Sequence, residues 1–167
     1  GLPGDRIIEG QWANPGLAMV NGKPQVIFPG GDGVIYSFEP DTGKPMWKCD
    51  CNPVRVKGPT NYFVATPVSV GDRIYIGMGV GPDLDTPPRS SYFLCLDATK
   101  QGDVSFKSYD AKDPANKGSA LVWAFGGPVN PPPAKGRKEN FGYTISTAAI
   151  HDGLIYIPEV TGYLHCL

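Results

Sequence analysis

Neither sign of charge gathers into a run anywhere along this chain. In 167 residues there are 15 Lys and Arg against 16 Asp and Glu, a formal charge of -1. A nucleic-acid partner, which needs a cationic stripe to neutralise phosphates, is therefore not expected. Long apolar stretches are also missing. "ALVWAF" (120–125) falls far short of the roughly 20 residues that a membrane span requires, so no transmembrane segment is expected. The opening "GLPGDRIIEG" has no basic stretch followed by an apolar one, so a signal peptide is absent or lies upstream. Cysteine is sparse, at positions 49, 51, 95 and 166, and no pair has the Cys-x-x-Cys spacing of zinc or thioredoxin-like sites. With only two histidines, His151 and His165, no metal triad or His-based catalytic arrangement is visible.

Glycine and proline are what the chain has in quantity. There are 22 and 18 of them, without collagen-like period, in a sequence that is still 41% hydrophobic. That composition argues against wholesale disorder and suits many short strands joined by tight turns. The length suits one domain.

Three segments repeat one another: "AMVNGKPQVIFPGGDGVIYSFEPDTGKPMW", "TPVSVGDRIYIGMGV…YFLCLDATKQGDV…LVW" and "STAAIHDGLIYIPEVTGYLHCL". Each opens on a short apolar strand that meets Asn21-Gly22, Gly71-Asp72 or Asp152-Gly153, dipeptides that supply the positive φ of two-residue hairpins. A β-branched and aromatic strand comes next: Val26-Ile27-Phe28, Ile74-Tyr75-Ile76, Ile155-Tyr156-Ile157. Phe28 precedes Phe38 by ten residues, and Ile157 precedes Leu167 by ten, whereas Ile76 to Leu96 is twenty. The middle copy thus carries an extra loop, "GMGVGPDLDTPPRSS". A fourth strand ends at Trp47 in the first copy and at Trp123 in the second, where "KSYDAKDPANKGSA" forms another insertion. In the first copy Thr42-Gly43 turns the third strand into the fourth, and Trp47 offers a large apolar plate for packing between sheets.

Four antiparallel strands per repeat, apolar on both faces, are the blades of an all-β propeller. One blade is expected at 17–49, a second at 64–125 with insertions at 77–91 and 103–119, and an incomplete third at 145–167. Gly153 and Gly162 mark the turns of the third. Residues 50–63 and the Pro-rich 126–144 cross between blades.

The run from Phe38 to Trp47 resembles the A-x-D-x-x-T-G-x-x-x-W signature of PQQ-like, tryptophan-docking repeats, known from eight-bladed quinoprotein dehydrogenases. From about Leu17 onward the chain is similar to bacterial PQQ-binding-like β-propeller repeat proteins and to BamB-type outer-membrane assembly propellers. The resemblance implies a ring of seven or eight blades, with the remaining blades supplied by the rest of the chain or by other copies. It also implies a periplasmic or otherwise extracytoplasmic location and a non-catalytic scaffold whose loops bind a protein, a small molecule or a glycan. The alternative it carries is a PQQ-dependent alcohol or sugar dehydrogenase whose active site lies partly outside this stretch. PQQ and calcium are the cofactors of that alternative.

Such a dehydrogenase needs a disulfide of adjacent cysteines over the quinone, and Cys49-Asp50-Cys51 has one residue too many. These two are read as free or distantly bridged thiols. Cys95 and Cys166 occupy the slot of Ser37 and are read as small buried residues. His151 is read as solvated and His165 as packed and hydrogen-bonded. Asp83, Asp85, Asp103, Asp110 and Asp113 match no EF-hand spacing and are read as solvated loop carboxylates. "FPGGDG" reads as a hairpin turn and not a phosphate cradle. Tyr62-Phe63 and Phe141-Gly142-Tyr143 are expected to wedge between blades, the other reading being a binding rim.

Overall fold

The computed structural model describes residues 10–53, 61–79 and 90–167. Asp83 and Asp85 lie outside them. Among the described residues twelve short strands form: β1 (Gly16–Val20), β2 (Lys23–Pro29), β3 (Val34–Phe38), β4 (Pro45–Asp50), β5 (Val68–Val70), β6 (Arg73–Met78), β7 (Tyr92–Asp97), β8 (Gly102–Asp103), β9 (Leu121–Gly126), β10 (Ala149–His151), β11 (Leu154–Pro158) and β12 (Leu164–Cys166). They make three sheets, ordered β1-β2-β3-β4-β8, β5-β6-β7-β9 and β10-β11-β12. The chain is all-β, and its sheets are the successive antiparallel meanders of a β-propeller.

Local chemistry sets the hairpins. Asn21 (φ 49°) and Gly22 (φ 73°) share positive φ, as do Asp152 (φ 49°) and Gly153 (φ 79°), the geometry of type I′ turns. Asn and Asp tolerate that region because their short polar side chains bond locally. The β2–β3 and β11–β12 turns make the same bonds. Gly30 N–H donates to Val34 O (2.7 Å) and Gly33 N–H to Gly30 O (3.0 Å), while Glu159 N–H donates to Tyr163 O (2.9 Å) and Gly162 N–H to Glu159 O (3.0 Å). "FPGGDG" is that turn. Its Asp32 is buried and accepts from the Val34 N–H and the Tyr36 hydroxyl.

The repeat is also one of register. Trp47 lies opposite Ser37 and Trp123 opposite Cys95, and in both pairs the register shifts immediately afterwards. Both fourth strands run past their tryptophan, however, to Asp50 and Gly126, which corrects the expected ends. Period-2 alternation is the reason: Trp47 and Cys49 point to the same buried face, so the ladder continues through Cys49, which pairs with Ile35. Cys49 is therefore a strand residue, and the strand runs one residue into the expected crossing.

The sheets stack face to face. Ile27, Ile35, Trp47 and Cys49 of the first meet Ile74, Ile76, Leu94 and Leu96 of the second in one buried cluster. On the other side of the second sheet Phe93, with Tyr75, Trp123 and Phe125, meets Ile155 and Ile157 of the third. Each aliphatic or aromatic side chain so enclosed contributes about 2 kcal/mol. The crossings add Phe63 to the first cluster and Phe141 to the second, both fully buried. Gly77 lets the second crossing pass close, because a Cβ there would sit 2.2 Å from Thr144 Cγ2.

Two further expectations are corrected. Among the described residues only the second sheet is covered on both faces; Val26, Phe28, Tyr36 and Phe38 of the first are half-buried, and Leu154, Tyr156 and Leu164 of the third are exposed. Cys166 is likewise exposed, since no fourth strand pairs with β12 among the described residues. The insertion at 103–119 is more than a loop: Gly102 and Asp103 pair in parallel with Trp47 and Lys48, adding a fifth strand to the first sheet. Val104 and Phe106, two apart, then bury their side chains against it.

Candidate binding groove

Where the insertion leaves β8 it walls a groove of about 780 Å³ beside the outer edge of the first sheet. One side comes from β4 and its C-terminal extension, with Lys48, Asp50 and Asn52; the other comes from Asp103, Ser105, Lys107, Lys117 and Ser119, over Phe106. The wall is fastened by backbone bonds, Val104 N–H to Lys48 O and Ala120 N–H to Val104 O, each 2.9 Å. Its tip is organised by buried Asn116, whose Oδ1 accepts from Lys107 N–H (2.6 Å) while Nδ2 donates to Ser108 O (2.9 Å) and Asp110 O (2.7 Å). Asp113 caps the short 3-10 turn Pro114–Asn116 by accepting from Ala115 N–H (2.8 Å). Behind the wall Tyr109 stacks on Tyr92, ring centroids 3.5 Å apart, and its hydroxyl donates to Cys51 O (2.9 Å). Burial raises the Tyr109 phenol well above its ordinary range, so it stays a neutral donor.

The electrostatics are mixed. Lys48 Nζ lies 3.2 Å from Asp103 Oδ2. The Ser105 hydroxyl also donates to Asp103 (2.6 Å), and these contacts, the hydroxyl first, hold the carboxyl below its usual value. Lys107 and Lys117 form no ion pair among the described residues. Beside the groove, and sharing Tyr36 and Lys48 with it, is an apolar hollow of about 740 Å³ lined by Phe28, Phe38, Met46 and the edge of Trp47.

The residues singled out from sequence lie mostly elsewhere. Thr42 and Gly43 (φ 70°) form an exposed turn, and Gly153 and Gly162 sit in the turns of the third sheet. Trp123 is half-buried between the second and third sheets. All four cysteines are free; Cys49 and Cys51 are buried with Sγ atoms 3.9 Å apart. Burial, then the neighbouring Cys49 thiol, raises the Cys51 thiol well above its ordinary value, and burial pushes Cys95 up to about 11. Cys49, Cys51 and Cys95 are thus shielded from solution, and Cys166 is exposed. Asp110 and Asp113 bond within their own loop, whereas Asp103, expected in a loop, is a β8 residue that pairs with Lys48, and no three metal-binding side chains converge among the described residues. That donor set, with two separated thiols, does not fit a calcium ion or a quinone disulfide.

Two polar hubs were not foreseen from the sequence. Gln25 Oε1 accepts from Ser37 Oγ (2.8 Å) and Trp47 Nε1 (3.0 Å), and its Nε2 donates to Ala98 O in the turn after β7 (3.4 Å). Its signal was a polar residue at a buried register position, two before Ile27. The second hub is Glu159, whose carboxylate accepts from Arg137, the Thr161 hydroxyl and Gly142 N–H, with His165 Nε2 at 3.0 Å. Arg137 also lies over the Tyr163 ring, 4.6 Å from its centroid. His151 is exposed, and Tyr62 and Tyr143 meet at 6.5 Å.

No family model and no curated protein matches this chain. Among solved structures, BamB from Moraxella catarrhalis is similar at 16% identity and a TM-score of 0.42, over 96% of this chain and 47% of that one. The chain thus spans about half the length of that protein.

Proposed function

We propose that this chain is part of an extracytoplasmic, non-catalytic scaffold of PQQ-like repeats, and that it holds an extended segment of another protein in the groove beside its first sheet. The observation that carries this reading is the construction of the wall. Asn116, Asp113 and the Tyr92–Tyr109 stack fix the insertion where a sheet alone would need nothing. A preorganised wall lowers the entropic cost of binding. Lys107, Lys117, Ser105 and Ser119 supply polar and cationic contacts, and the adjoining hollow offers apolar ones. A peptide with an acidic side chain near an apolar one matches both. The extracytoplasmic location rests on the resemblance of the Thr-Gly-x-x-x-Trp repeat.

A photo-crosslinking amino acid at Lys117, compared with one at exposed His151, tests the reading in the producing cell. Protein adducts at position 117 and not at 151 are expected. Identical adducts at both positions, or PQQ- and calcium-dependent oxidation of alcohols by the purified protein, would overturn it.

A further inference from the structure

We propose that Cys49 and Cys51 are a redox-active dithiol, closing to a disulfide that releases the insertion from the end of β4. Strand geometry builds the pair. Residues two apart share a face, both thiols are fully buried, and their Sγ atoms are 3.9 Å apart. A short movement closes that gap to the roughly 2.0 Å of a disulfide. Cys51 follows the last residue of β4, and one backbone bond, Cys51 N–H to Gly33 O (3.0 Å), holds it there.

Charge decides between the two reactions open to such a pair. A metal ion would require both thiols as anions, and no third metal-binding side chain joins them among the described residues. Burial, and then the Cys49 thiol, holds Cys51 in its protonated form. Dithiol and disulfide are both neutral, so exchange leaves the apolar cluster around them uncharged. The oxidant is a small-molecule or protein disulfide. One cysteine attacks it as the thiolate, forming a mixed disulfide and expelling a thiolate that takes up the proton; the second cysteine then displaces the other half in the same way. The products are one Cys49–Cys51 bond and two reduced thiols, a transfer of two electrons from the pair to the oxidant.

The insertion sits on this pair. Cys49 Sγ lies 3.6 Å from Val104 O, the Tyr109 hydroxyl donates to Cys51 O (2.9 Å), and the Asp50 N–H between them donates to the Ser105 hydroxyl (2.9 Å). Two residues of extended chain span up to about 7 Å, at the top of the range that a disulfide bridges. Closing the bond therefore contracts the strand end and pulls these groups away from their partners in the insertion. A bond across so short a loop is also strained and easily reduced, which makes the change reversible. The same insertion walls the groove, yet this chemistry holds whether or not a peptide lies there.

The purified chain carrying Cys166→Ser, which removes the exposed thiol, is incubated with oxidised glutathione, quenched in acid, unfolded and alkylated with iodoacetamide. Cys49 and Cys51 should both resist alkylation and appear in one internally linked peptide, and dithiothreitol should restore them. Cys49→Ser should leave Cys51 open to alkylation. In the oxidised chain, amide exchange at 103–119 should rise about tenfold while β2 and β3 are unchanged. Asn116→Ala, which loosens the insertion, should oxidise faster than the parent. Two thiols that stay alkylatable in excess oxidised glutathione even in the Asn116→Ala chain, or a reaction that stops at a mixed disulfide, would overturn the dithiol. A Cys49–Cys51 bond that forms with no change at 103–119 would overturn its hold on the insertion.

Discussion

Gln25 is 3% exposed, and its carboxamide joins two donors of its own sheet to a carbonyl in the turn after β7. Removing a shared acceptor costs more than removing one of its donors, because every group left behind is buried without water. Gln25→Ala should therefore lower unfolding free energy by about 2–4 kcal/mol in urea titrations, and Trp47→Phe should lose less through hydrogen bonding alone. Glu159 makes a pH prediction. Burial drives its carboxyl upward, but the bonds from Arg137, Thr161, Gly142 and His165 outweigh it and hold the group at about 2, against 4.5 for the free acid. A carboxyl depressed in the folded state stabilises above its unfolded pKa, and that stability drains away as pH falls from 4.5 toward 2. The contribution at neutral pH is about 3 kcal/mol. Glu159→Gln should be less stable at pH 7 and should lose much less between those pH values; parallel acid-unfolding curves would refute the assignment.

At the scale of the element, the insertion joins the first sheet through β8 and the core through Val104 and Phe106, while its tip beyond them is held by its own bonds. Asn116 holds its tip through bonds to Lys107, Ser108 and Asp110, none of which belongs to a strand. Asn116→Ala should therefore loosen residues 103–119 without unfolding the sheets. Hydrogen exchange there should accelerate by an amount equivalent to about 1–3 kcal/mol, with β2 and β3 unchanged. Phe106→Ala reaches deeper, since that ring is buried in the cluster between the first two sheets, and should cost about 3–5 kcal/mol of global stability.

At the scale of the molecule, stacking makes neighbouring sheets interdependent and distant ones nearly independent, as expected where each unit touches only the next. Ile76 faces the first sheet and Ile157 the second. Ile76→Ala should reduce exchange protection in β2–β4 and β6–β7 together, by about 2–4 kcal/mol, and spare β10–β11. Protection lost only within β6 would show that the stacked faces are not coupled.

The strands, their hairpins and their repeat were legible in the residues, because period-2 alternation and positive-φ dipeptides such as Asn21-Gly22 are local properties of the chain. Which face of a sheet meets a neighbour was not. Cys166 and Cys95 fill equivalent positions in the sequence, yet one is exposed and the other buried, because burial depends on a strand that pairs from outside. The groove was hidden for the same reason. "GDVSF" reads as the start of a loop until Lys48 and Val104, 56 residues apart, are brought within one hydrogen bond. Local pattern determined what each segment could become, and only long-range pairing decided which edges were closed, which side chains were enclosed and where a ligand could lie.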